Sequence, residues 1–202
     1  MNKIHTANLF NLQSLSLKKL LLETKDIWDV LDHLEEFIRQ KKAQELEGNK
    51  IEGCAFVGGK GVNLMEGVHI EGSVFIGKGS IIRKGAVLRG PIVIGEECLI
   101  GHHSEVVRSL VLDNAKIPHL NYVGDSIIGQ GVNMGAGSIC ANVRLDKGQI
   151  SLFGEVSTKR NKLGAIIGDG ASIGCNAVLN PGSVVAPGAF VKPCQNVGGW
   201  IK

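Results

Sequence analysis

The chain has 202 residues, 44% of them apolar, with 28 glycines, 5 prolines and a formal charge of +3. That length holds one substantial core, and apolar residues placed in strict register argue against disorder despite the glycine. The small positive excess contains no Lys/Arg block interleaved with aromatics, which speaks against nucleic-acid binding, and no stretch approaches the ~18 consecutive apolar residues of a membrane span.

Residues 1–50 read as an N-terminal arm and helices. Residues 1–13 look loose. Ser14 or Ser16 is placed to cap a short helix through Leu22. After Asp26, Ile27, Val30, Leu31, Leu34, Phe37 and Ile38 recur at three and four, the period of an amphipathic helix. Acidic residues come first and Arg39, Lys41 and Lys42 come late, which suits the helix dipole; Gly48 then stops the helix. The apolar stripe needs a surface to cover, and the base of the following domain or a neighbouring subunit is expected to supply it.

Residues 51–197 are paced in sixes. Ile70, Ile76, Ile82, Leu88, Ile94, Ile100, Val106 and Leu112 keep the beat, with glycine and polar residues between them. Neither a helix (period 3.6) nor a simple strand (period 2) sustains that spacing. A chain that turns a corner every six residues does, and three faces make a coil of about 18 residues. The prediction is an all-β solenoid, a parallel β-helix of about seven coils. The register slips between Leu112 and Val123, resumes at Ile128, Met134 and Cys140, and is lost over 144–163, a polar excursion from the coil. A last set runs through Ile167, Ile173, Leu179, Val185 and Val191, and residues 198–202 form a C-terminal tail. Flat outer faces favour a homotrimer about an axis parallel to the coil. Cys54, Cys98, Cys140, Cys175 and Cys194 form no CxxC pair and no disulfide spacing, and no apolar run precedes a cleavage site, so a soluble, cytoplasmic protein with reduced thiols is expected.

Three clusters break the generic repeat: Arg83 and Arg89 with GHHSE at 101–105, IPHLNYVGD at 117–125, and GVNMGAG at 131–137 followed by Asn142. Spacings of 19 from Arg83 to His102 and 17 from His102 to His119 place these residues on successive coils, in one patch. One chemical reading is general-base transfer, since a histidine with pKa ~6.5 accepts a proton at neutral pH. His119 would deprotonate an amine attacking a thioester, Asn142 would orient or stabilise the developing oxyanion, Arg83 and Arg89 would hold a phosphate, and Tyr122 would add a hydrogen bond. The alternative leaves His119 as a corner residue bonded to a neighbouring turn. Of His102 and His103, alternation along a strand lets at most one face the site. A zinc hydratase built on His69, His102 or His103, and His119 is a third reading, weakened by uneven spacing, and no metal site is assigned. GKGV and GAGS lack the ending and context of phosphate loops.

The hexapeptide beat, with HLNYVGD and GQGVNMGAGSICAN, resembles the left-handed β-helix acyltransferases of the hexapeptide-repeat family. It is most similar to the acetyltransferase domain of the bifunctional bacterial enzymes that make UDP-N-acetylglucosamine, over about Gly85 to Gly188. The resemblance implies left-handed coiling, a homotrimer, acetyl-CoA as co-substrate and an amino-sugar phosphate such as glucosamine-1-phosphate as acceptor. By position it implies that His119 is the base, that Asn142 lies beside the reacting amine, that Tyr122 and Asn133 contact the sugar phosphate and that Arg89, or Arg83 one coil away, binds phosphate. It also implies that Ala136 and Cys175 meet the acetyl-CoA region. Val107 stands where the family has a lysine, Val143 where it has a tyrosine, and the segment after Asn142 is about fourteen residues longer. No segment resembles the nucleotidyltransferase half. The expectation is an acetyl-CoA-dependent N-acetyltransferase; the alternative is a non-catalytic sugar-phosphate-binding trimer.

Overall fold

The computed structural model describes residues 5–13, 15, 17–44 and 55–202. The expected caps at Ser14 and Ser16, the helix stop at Gly48, the coil start at Ile51 and Cys54 lie outside those residues. The rest is an all-β left-handed parallel β-helix preceded by short helices.

Three parallel sheets form the walls of a triangular prism. Face 1 has eight strands, from Ala55–Gly58 to Trp200–Ile201; faces 2 and 3 have seven each, from Asn63–Leu64 to Phe190–Val191 and from His69–Glu71 to Asn196–Val197. Trp200–Ile201, expected in a tail outside the coil, pairs with Val184 and Val185 and closes face 1. The interior is an aliphatic stack. Ile76, Ile94, Val111, Ile128, Ile167 and Val185 rise along face 1, and Ile82, Ile100, Ile117, Met134 and Ile173 along face 2. Each such side chain gains about 1.5–3 kcal/mol on burial. Among the described residues, buried polar side chains at the corners are hydrogen-bonded to neighbouring coils: Asn121 Nδ2 donates to Ser138 Oγ at 2.9 Å, and the Ser126 N–H donates to Ser109 Oγ at 3.0 Å.

The hexad beat is shortened at two corners. Val111, not Leu112, is the inward residue of its strand; Leu112 packs outside against the N-terminal segment. The slip therefore falls between Val106 and Val111, earlier than the sequence suggested, and recurs between Val123 and Ile128. At each place one residue turns the corner in the left-handed region, Arg108 at φ 41° and Asp125 at φ 44°. Losing one residue from each turn gives coils of 17 residues, as the pairing of Leu110 with Val93 and with Ile127 shows.

The N-terminal helices cover a side wall, not the base of the coil. Phe75, Val93, Leu110, Ile127, Ile166 and Val184 form a second ladder on the outside of face 1. Leu9, Phe10, Leu20, Leu21, Ile27, Trp28, Val30, Leu34 and Ile38 pack onto it from Thr6–Leu9, Lys18–Leu22, a 3-10 turn at Ile27–Asp32 and the helix Leu34–Gln44. The excursion belongs to the same layer. Its hairpin, Ile150–Leu152 with Val156–Arg160, buries Ile150 and Leu152, and Leu163 follows them. Arg160 ties the hairpin to Asp29, at 3.6 Å, and to Asp32. The segment is thus docked on its own subunit, and its polar look reflects the outward half of a small hairpin.

Candidate functional site

His119 ends the strand Lys116–His119 at the edge between faces 2 and 3. Its backbone is held from both sides: its N–H donates to Asn121 Oδ1 at 2.9 Å, and its C=O accepts from the Gly137 N–H at 3.0 Å. The side chain remains half-exposed. It is in register with His102 on the preceding coil, with ring centroids 5.2 Å apart. His102 in turn lies 5.6 Å from His103. Both of these histidines are exposed, and His103 turns the corner at φ 53°. Its ring lies over Gly85, where a Cβ would come within 2.7 Å of it. Among the described residues, no group of three His, Cys, Asp or Glu is arranged to hold a metal ion.

The same edge carries Arg83, Ala136 and Cys175. Arg83 directly follows the strand Ile81–Ile82, and no described residue pairs with its guanidinium. Ala136 and Cys175 present backbone groups on later coils, where their carbonyls accept from Asn176 at 2.8 Å and Cys194 at 2.9 Å. Cys175 and Cys194 are exposed, whereas Cys98 and Cys140 are buried and burial pushes both thiols up to about 12.

Arg89 and Tyr122 stand on face 3. Arg89 is not a free phosphate ligand: it donates to Glu105 at 2.9 Å and to Glu71 at 3.3 Å on the coils either side. Tyr122 is in register with Glu105. Burial is the main cause that raises the Tyr122 phenol above its ordinary pKa; the Glu105 and Asp125 carboxylates add to it. Asn133 is elsewhere, exposed on face 2 between Lys116 and Ser172. Val107, in place of the family's lysine, is buried between Arg89 and Gly124, and Arg108 carries the adjacent charge around the corner to Asp125 at 2.8 Å.

Asn142 sits at the far edge of face 3, toward face 1. Its Nδ2 donates to Asp125 and its Oδ1 accepts from the Tyr122 hydroxyl at 3.3 Å. The expected single patch therefore divides. His119, Arg83, Ala136 and Cys175 share one edge, Asn142 lies on the other, and Tyr122 with Arg89 occupies the wall between. Spacing by coil length fixes height along the prism but not position around it, so the one-residue corner slips and the three-residue strand Tyr122–Gly124 separate the two edges.

Three supporting residues carried no chemical signal in the sequence, although all lie inside HLNYVGD. Asn121, 2% exposed, also donates to Gly135 C=O at 2.7 Å and locks the His119 corner to the next coil. Gly124 is the floor beneath Asn142 and Tyr122: a Cβ there would lie 2.6 Å from Asn142 Nδ2 and 2.8 Å from the Tyr122 hydroxyl. Asp125 joins Arg108 to Asn142. Glu71 and Glu105 carried no signal as partners of Arg89 either: Glu71 lies one coil of 18 residues before it, whereas Glu105, 16 residues after it, is in register with Val87 and reaches the arginine diagonally.

The GMPPB C-terminal domain family matches residues 70–163. A bifunctional sugar-1-phosphate nucleotidylyltransferase/acetyltransferase from Sulfurisphaera tokodaii is 35% identical over 127 residues, covering 52% of this chain and 32% of the relative. The bifunctional protein GlmU of Methanococcus maripaludis strain S2 is 34% identical over 162 residues, covering 70% of this chain and 36% of the relative. This chain carries a hexapeptide-repeat acetyltransferase fold. It is related to the acetyltransferase domain of GlmU, and it spans about a third of the length of these two curated relatives. Among solved structures, the acetyltransferase domain of PglB from Neisseria gonorrhoeae FA1090, in complex with acetyl coenzyme A, overlaps 73% of this hexapeptide-repeat chain and 51% of that chain, at 12% identity and a TM-score of 0.38. No helix among the described residues is long and apolar enough to cross a membrane.

Proposed function

We propose that the protein is an acetyl-CoA-dependent acyltransferase whose acceptor is an amino-sugar phosphate such as glucosamine-1-phosphate. The observation that carries this reading is the half-exposed imidazole of His119 on a corner whose backbone is fixed on both sides, in a chain related to acetyltransferases of sugar phosphates. A base must be rigid and accessible, and this histidine is both.

In the proposed step the acceptor amine attacks the thioester carbonyl while a His119 ring nitrogen takes its proton. The tetrahedral intermediate collapses, the C–S bond breaks, and the departing sulfur of CoA takes the proton from the imidazolium. The products are the amide and free CoA thiol. Acetyl-CoA would run along the edge that bears Ala136 and Cys175, past later coils. The acceptor would lie over face 3, with Tyr122 as a hydroxyl partner and Asn142 at its far end. Arg83, which no described residue neutralises, is better placed than Arg89 to take a phosphate.

A homotrimer belongs to the same proposal. Face 1 is occupied by the chain's own helices and hairpin, which leaves faces 2 and 3 for assembly. Leu120, 60% exposed at the His119 edge, and Phe190, 75% exposed on face 2, are apolar surfaces that such an assembly would cover. A cytoplasmic location fits these substrates.

The assay is thiol release from acetyl-CoA with glucosamine-1-phosphate. Wild type is expected to exceed His119→Ala by about 10²–10⁴-fold. Equal, slow release from both would end the proposal. A non-catalytic binding trimer is favoured by one observation, the capture of Arg89 by Glu71 and Glu105 beside Val107. CoA binding without turnover would select it.

A further inference from the structure

The excursion leaves the coil after Asn142 and rejoins it at Leu163, and both ends meet at one corner residue. The Leu163 N–H donates to the Asn142 C=O at 3.0 Å, and the Gly164 N–H donates to the Asp125 C=O at 2.9 Å. The Asn142 carboxamide nitrogen donates to Asp125 Oδ2, while Asp125 Oδ1 accepts from Arg108 Nη2 at 2.8 Å. Asp125 is 6% exposed, so its carboxylate is a buried charge satisfied by one cation and one amide.

This arrangement decides which end of the Asn142 carboxamide meets Tyr122. An asparagine carboxamide has an oxygen end and a nitrogen end of nearly equal shape, and its rotamer does not choose between them. A carboxylate only accepts, so it must meet the nitrogen. The oxygen is then turned to the Tyr122 hydroxyl, and both groups lie on bare Gly124. We propose that Asp125 is a positioning residue that fixes the Asn142 carboxamide with its oxygen toward Tyr122, and that it couples this orientation to closure of the excursion's neck. That Asn142 meets an acceptor rests on the acyltransfer reading; its orientation by Asp125 does not.

The test is Asp125→Asn, which keeps the shape and suits a left-handed corner, since asparagine tolerates φ near 44°. It removes the acceptor-only group. The substrate-free readout is the side-chain amide of Asn142 in nitrogen-resolved NMR, assigned by its loss in Asn142→Ala. Wild type is expected to show a slowly exchanging Nδ2 proton, and Asp125→Asn to lose that protection. The chain's one tyrosine adds an unambiguous optical signal. Because the Asp125 charge helps hold the phenol above its ordinary range, its titration should move to lower pH in Asp125→Asn.

The activity readout is a double-mutant cycle. Asp125→Asn is expected to lower kcat about 10-fold or more, with little change in KM for acetyl-CoA, and to cost nothing further in an Asn142→Ala background. Unchanged Asn142 amide signals, or additive losses in the cycle, would overturn the proposal. If wild type transfers no acetyl group, the acyltransfer reading fails, and the Asn142 amide signals alone decide the role of Asp125.

Discussion

The backbone N–H of His119 donates to the side-chain oxygen of Asn121, two residues on, while the same Asn121 side chain donates to Gly135 and Ser138 of the next coil. The half-exposed imidazole therefore rests on a buried amide that spans two coils. Asn121→Ala strips the side-chain partner from the His119 N–H and from Ser138 Oγ, and leaves the Gly135 carbonyl with the Ser138 N–H at 3.2 Å. Each buried polar group left unpaired costs about 1–3 kcal/mol. Urea denaturation should show a loss of about 3 kcal/mol, and Asn121→Asp, which keeps the acceptor but not the donor, should recover part of it.

Gly124→Ala places a methyl group 2.6 Å from Asn142 Nδ2 and 2.8 Å from the Tyr122 hydroxyl. Both contacts are at the ends of side chains, which can swing away, so the fold should survive with a loss of about 1–3 kcal/mol. The Tyr122–Asn142 hydrogen bond should not survive. Thermal melting and acetyl-transfer rate together check this: the rate should fall by a larger factor than the stability change alone explains, as an unfolded fraction of a few per cent cannot account for it.

The hairpin is held by its apolar side and only trimmed by its charges. Leu152 is fully buried, and Leu152→Ala should cost about 2–5 kcal/mol. Arg160 is partly exposed and its partner Asp32 more so, and such pairs contribute about 0–1 kcal/mol. Arg160→Ala should therefore lower the urea midpoint far less than Leu152→Ala. The reverse order would show that the hairpin is clamped electrostatically.

Alkaline pH should weaken the fold through two thiols. Burial raises Cys98 and Cys140 from 9.0 to about 12, so the folded state keeps their protons where the unfolded state has lost them. Their contribution is fully present below pH 9.0 and declines as pH rises toward about 12. The slope is about 1.4 kcal/mol per pH unit for each thiol in that window. Urea unfolding at a series of alkaline pH values should show it, and the Cys98→Ala/Cys140→Ala pair should flatten it. At neutral pH a thiol reagent should modify Cys175 and Cys194 in the folded protein and spare the buried pair.

The coil was legible because inward residues are chosen by one rule repeated: a branched apolar side chain at each wall. The rule failed at Leu112, where Arg108 turns its corner with one residue fewer and moves Val111 inward. A second apolar ladder, with Phe75, Val93 and Leu110 beside the inward ones, shows in the sequence as doubled apolar pairs, but the hexad beat does not say what covers it. The hairpin was obscured because its packing rests on a few apolar residues, the buried Ile150, Leu152 and Leu163 with Phe153 and Val156 beside them, among many polar ones. In the site, His119 stood out by type and motif. The neutralisation of Arg89 did not, because Glu71 and Glu105 reach it from neighbouring coils.

The layer over face 1 also changes how the molecule comes apart. Stacked coils ordinarily touch only their neighbours and can fray from an end one at a time. Here the chain start reaches the late coils, where the Asp169 N–H donates to the Leu9 carbonyl at 3.0 Å, while the helix Leu34–Gln44 lies against the early strands Ser73–Ile76 and Ile92–Ile94. It acts as a splint along the stack. No rung beneath it can melt alone, so denaturation should run as a single sharp transition, and a pull on the two termini should meet one high force peak instead of a staircase.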